Sequence, residues 1–138
     1  MAKYTASKTL FSGELHHKNI QLADLKGEFW VDCYEFEGSY EVSNHGRVKS
    51  IERYVPHKNG QILIRERIRR QSIMKDGRLA CSLGKEGKSY RTNLSKLVYT
   101  SFYPDKKWDI KKYCVMHKNK CKQDNRISNL KLSSISES

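Results

Sequence analysis

The sequence predicts an α+β fold, a set of β-hairpins with one helix near residue 95. Three observations carry this. Short runs of alternating apolar and polar residues are broken by Asn, Gly and Lys turns. One stretch, residues 94–102, has helical spacing. The length of 138 residues suits one modest core better than two.

Residues 1–27 are polar and aperiodic, with a His16-His17 pair, and predict an arm or peripheral segment. From Glu28 the run FWVDCYEF mixes aromatics with Val31 and Cys33 as a strand does, and Gly38 supplies a turn. Tyr40 and Val42 then alternate with polar neighbours, and Val48 and Ile51 resume after Asn44-His45-Gly46. Asn and Gly tolerate left-handed backbone, so this is a hairpin. After Gly60, the positions Ile62, Ile64, Ile68 and Ile73 fit no single period, and a strand is predicted over 61–65 only. Leu79, Cys81 and Leu83 alternate, GKEGKS turns the chain, and Tyr90-Arg91-Thr92 returns as a second hairpin. Asn93 is placed to cap a helix LSKLVYTSF whose Leu94, Leu97, Val98 and Phe102 share a face; Pro104 ends it. Tyr113–Met116 reads as a short strand, then a polar loop and a helical turn around Arg126–Leu130. The serine-rich tail LSSISES reads as frayed.

Lys and Arg total 27 against 15 acidic residues, a net charge of +12, and the sequence pI is near 9.6. That balance is expected of a nucleic-acid partner, with a docking site for an acidic protein as a lower alternative. The cations come in bunches, and Arg47, Lys49, Arg53, Arg65, Arg67, Arg69 and Arg70 are the candidate phosphate contacts, following the hairpins. No apolar run of about 18 residues exists and the N-terminus lacks a signal-peptide core, which predicts an intracellular protein without a membrane span. Four cysteines (Cys33, Cys81, Cys114, Cys121) then predict reduced thiols.

Two motifs are weak by themselves. GKEGKS ends like a phosphate-binding loop, but Ser82 stands where its first glycine belongs. Cys114, His117 and Cys121 form C-x2-H-x3-C, three soft ligands for zinc with no adjacent fourth.

Two longer blocks say more. Residues 36–50, FEGSYEVSNHGRVKS, resemble the NUMOD4 module of phage and intron-encoded HNH homing endonucleases. Residues 93–130 resemble the HNH part of the same family, with a helix, a strand delivering His117, and Asn125 and Asn129 eight and twelve residues later. The resemblance implies a NUMOD4-like β module over 28–75 and a ββα-metal (His-Me finger) module over 76–138. It further implies that the protein binds double-stranded DNA, with structured RNA as an alternative, and nicks or cleaves it with Mg²⁺ or another divalent cation. Its setting would be the cytoplasm of a phage-infected or intron-bearing host cell. His117 would be the general base, with Asn125 and Asn129 supporting the site and Asn129 tying the loop to a helix.

The sequence departs from that pattern where the metal is held. Met116 stands in place of the Asp or Asn that precedes the histidine, and a thioether is a poor ligand for Mg²⁺, which selects oxygen. Ser138 stands at the second ligand position, Asn119 and Lys120 replace the loop's Asp and Gly, and Ser95 replaces a helix histidine. A catalytically inactive DNA- or RNA-binding relative is therefore the alternative function.

Overall fold

A computed structural model of the chain describes residues 18–105 and 112–134. Most of the arm expected over 1–27, including His16 and His17, and the Ser138 ligand position lie outside these residues.

The chain order is β1 (Trp30–Asp32), β2 (Tyr40–Ser43), β3 (Val48–Ser50), β4 (Arg53–His57), β5 (Gly60–Ile64), β6 (Arg67–Ile68), β7 (Ser72–Ile73), β8 (Leu79–Lys85), β9 (Lys88–Asn93), α1 (Leu94–Phe102), β10 (Tyr113–His117), a 3-10 turn (Ile127–Asn129) and β11 (Leu130–Ser134). All pairings are antiparallel. They form a four-stranded sheet β1-β2-β3-β6, a three-stranded sheet β7-β8-β9, and two ribbons, β4-β5 and β10-β11. The α+β expectation holds.

Local chemistry explains the hairpins. Between β8 and β9 only Glu86 and Gly87 intervene, both at positive φ (52° and 79°), the backbone that a two-residue turn needs to match strand twist. Asn93 caps α1, its side chain accepting from the Lys96 amide at 3.3 Å. Pro56 lies in β4, which is tolerable because β4 pairs only with β5 and is an edge.

One core joins the sheets. Val42 and Val48 from the first sheet, Leu79 and Leu83 from the second, and Leu94 and Val98 from α1 are fully enclosed, and Val115 and Leu130 bring the β10-β11 ribbon onto the same cluster. α1 therefore sits centrally, touching β1, β2, β8, β9, β10 and β11. Side chains from both sides of residue 75 share that core. Cys33 and Cys81 are buried in it, and burial pushes both thiols up, Cys81 to about 11 even against the opposing Arg69 charge, so they stay protonated.

One expectation fails. Residues 130–134 form a strand, because Leu130 and Leu132 alternate beneath the serines and β10 supplies the pairing partners, Val115 opposite Leu132 and His117 opposite Leu130. α1 precedes the β10-β11 ribbon and packs against both of its strands and the 3-10 turn that carries Asn129. No helix among the described residues is long and apolar enough to cross a membrane.

Candidate functional site

His117 closes β10, and strand alternation decides what it faces. Val115 and His117 point to the core side, whereas Cys114 and Met116 point to the other. The C-x2-H spacing thus separates its first two candidates, since residues i and i+3 of a strand face opposite sides. Among the described residues no three His, Cys, Asp or Glu side chains come together as a metal-holding group.

His117 is 8% exposed, and its Nε2 lies 2.8 Å from Asn125 Oδ1. An amide oxygen only accepts, so Nε2 carries the proton and the neutral ring keeps its lone pair on Nδ1. Burial lowers the imidazole's proton affinity, and the nearby Arg78 and Lys122 charges lower it further, against the opposing Asn125 bond and Asp124 charge. The ring is held neutral below the usual histidine range. Asn125 is itself buried, and its Nδ2 has no partner among the described residues.

Asn129 builds the loop that carries these groups. Its Nδ2 donates to Asn119 Oδ1 (3.0 Å) and to the Asp124 carbonyl (2.8 Å), and its Oδ1 accepts from the Asn119 amide (3.1 Å). Among the described residues its side-chain bonds fasten the loop to itself. Asp124, buried nearby, is committed to Arg126 through two 2.7 Å bonds and to Asn119 Nδ2 at 2.8 Å. Lys120 occupies the position of the missing glycine and adopts φ 63°, a left-handed backbone that a lysine takes at a cost of roughly 1–2 kcal/mol.

A divalent hard cation fits this neighbourhood poorly. Asp124, whose charge acts on the ring, already accepts four hydrogen bonds, Met116 faces away and would offer only sulfur, and Arg78 and Lys122 oppose a cation.

The expected phosphate contacts divide. Arg47 is a correction: its side chain is fully enclosed, and all five N–H groups are used, on both Glu28 oxygens (2.9 and 2.6 Å) and the carbonyls of Asn19, Gln21 and Ala23. Burial disfavours a charged Glu28, but hydrogen bonds from Arg47, the Leu25 amide and Ser43 outweigh it and hold the carboxyl at about 2. Lys49 lies over the Trp30 ring at 4.3 Å between Glu41 and Glu66, and Arg53 lies over Tyr40 at 4.8 Å while donating to Ser39, Ser50 and Ile51. Arg69 is half-buried and donates to the Ser82 carbonyl at 3.2 Å. Arg65, Arg67 and Arg70 are exposed, and their side chains have no partner among the described residues; only backbone atoms of Arg67 and Arg70 are engaged, in β6 pairing and with Cys81. The sequence reading passed over Lys85 and Lys88, which with Arg53 line a groove of about 850 Å³ between the β4-β5 and β8-β9 hairpins. The lysines flanking the GKEGK turn were its signal.

Comparison with known proteins gives a motif match and a structural likeness. Residues 28–84 match the NUMOD4 motif. The chain is similar to a solved structure described as "DNA binding and cleavage by the HNH homing endonuclease I-HmuI", with 29% sequence identity, a TM-score of 0.60, and coverage of 79% of this chain and 54% of that one. The chain thus spans about half the length of the endonuclease it matches. No match was found among curated proteins. The chain therefore carries a NUMOD4 motif on an α+β scaffold similar to that of an HNH homing endonuclease.

Proposed function

We propose that this chain is a DNA-binding protein of the HNH homing endonuclease type, which keeps the general-base histidine while its described residues lack the oxygen ligands for a divalent metal. The observation that carries the proposal is the joining of a NUMOD4 motif to a buried neutral histidine fixed by an amide side chain. The binding partner is double-stranded DNA, met by Arg65, Arg67 and Arg70 and by the lysine-flanked groove.

In this reading Asn125 fixes the tautomer of His117, and Nδ1 is the atom that accepts a proton from water. Asn129 keeps the loop in register. A metal, when bound, would supply charge stabilisation at the phosphate. Met116 and the committed Asp124 leave this chain short of donors for it, which favours binding without efficient cleavage.

Duplex binding across a salt series, with structured RNA as competitor, tests the first half. Binding that ignores salt, or that RNA displaces more readily than DNA, would sink it. Nicking with Mg²⁺ or Mn²⁺, wild type against His117→Ala, tests the second half. Chelator-sensitive cleavage that disappears in the variant would overturn the incomplete site.

A further inference from the structure

Gly46 lies at the tip of the β2-β3 turn, far in sequence from the His117 loop, yet the two backbones touch. A Cβ built on Gly46 would stand 2.9 Å from the Asn125 carbonyl oxygen and 3.1 Å from both the Asn125 carbonyl carbon and its Cβ. The glycine also has φ +86°, so two separate constraints exclude a side chain there. Two residues away, the Asn44 carbonyl accepts from the Ile127 amide at 3.0 Å. The turn therefore braces the loop on both sides of Arg126.

The turn is itself fixed several times over. Asn44 accepts from the Phe29 amide through Oδ1 (2.8 Å) and donates to the Gly27 carbonyl through Nδ2 (3.0 Å). Gln71 Nε2 donates to the Gly46 carbonyl at 2.9 Å. Ser43 Oγ accepts from the His45 and Arg47 amides. A surface turn that served only to reverse the chain would not need anchors from residues 27, 29 and 71.

We infer that the Asn44-His45-Gly46 turn is a positioning element for the His117 site, setting the Asn125 backbone so that its side chain meets the imidazole. It places the NUMOD4 motif in the support of the chemistry, alongside whatever part it has in holding DNA. Gly46 and Asn44 touch no reacting atom; they act through Asn125. The catalytic meaning rests on the function proposed above, whereas the geometric claim does not.

Nuclear magnetic resonance on the full-length protein tests it. In the wild type the bonded His117 Nε2–H should give a ring N–H signal protected from solvent, assigned by its loss in His117→Ala, and the Ile127 amide should exchange slowly. Gly46→Ala should abolish the ring signal and speed Ile127 exchange by about tenfold or more, with β8-β9 amides unchanged. Gly38→Ala is the control, because Gly38 has φ +82° but nothing within 4 Å of its Cβ position. It imposes similar backbone strain without the contact and should move neither readout. A folded Gly46→Ala protein with both signals as in the wild type would overturn the inference, as would loss of both in Gly38→Ala. If Gly46→Ala does not fold, Asn44→Ala decides. Releasing the turn from residues 27 and 29 should speed Ile127 exchange, and an unchanged rate would count against the bracing role. None of these readouts needs cleavage, so a chain that fails to bind or cut DNA but shows them would lose the functional reading and keep this one.

Discussion

Around Arg47 every N–H has an acceptor and the opposing charge is adjacent, whereas the His117 ring meets a neutral amide, and one amide nitrogen, on Asn125, is left without a partner among the described residues. Both clusters are buried and polar. The first is closed: it spends a full charge on fixing residues 19–28 against the motif. The second is set but not saturated, with a ring nitrogen holding a lone pair and burial, helped by positive neighbours, keeping the ring neutral. Burial of a basic side chain thus identifies an anchor when all its donors are spent on acceptors, and a candidate reactive group when a ring nitrogen keeps a lone pair for a proton.

The largest effect should come from breaking the closed cluster. Arg47→Ala leaves Glu28 buried without its partner and should cost roughly 3–5 kcal/mol, read as a lowered denaturant midpoint. Asn129→Ala removes three bonds from the His117 loop and should cost about 1–3 kcal/mol, with a collapse of any His117-dependent activity. A loss as large as that of Arg47→Ala would mean that the loop, too, is mainly architecture.

The two clusters should also separate by pH. Glu28 is lowered from 4.5 to about 2, so its contribution is full above pH 4.5 and is lost as the pH falls from there toward 2. His117 is lowered from 6.5, so the unfolded chain takes the proton first and stability begins to fall below pH 6.5. A stability profile in which Glu28→Gln flattens only the acid segment and His117→Asn only the segment just below pH 6.5 is expected. One variant flattening both would show the clusters to be coupled. Lys120→Gly relieves a left-handed lysine and should stabilise by up to about 1 kcal/mol, seen as a small rise in Tm. Smallest in stability are Arg65→Ala, Arg67→Ala and Arg70→Ala, each within about 0.5 kcal/mol. Each that contacts phosphate should reduce the salt slope of DNA binding by about 0.9.

Much of this was legible from sequence where the determinants are local. Asn93 before an apolar face specified α1, and alternation on either side of a Gly-containing turn specified β2-β3 and β8-β9. The offsets from His117 brought forward Asn125, which meets its ring, and Asn129, which holds the intervening loop through Asn119 and Asp124. What was not legible is decided across distance. Arg47 looks like any arginine beside a hairpin until Glu28 and three carbonyls surround it. β11 hides its two leucines among serines and becomes a strand only because β10 lies alongside. Gly46 reads as a turn glycine; its φ demands that, but its contact with Asn125 belongs to a residue 79 positions away and leaves no local trace.

The β4-β5 ribbon has a consequence of a different kind. Among the described residues its strands pair only with each other, its outer end is the exposed Lys58-Asn59 turn, and its base is held by Arg53 on the carbonyls of Ser39 and Ile51. The chain's continuity at that turn is therefore dispensable to the core. A protease nick after Lys58, or a reporter sequence spliced in there, should leave two segments that remain associated as one folded body, which makes the ribbon tip the natural point at which to label this protein.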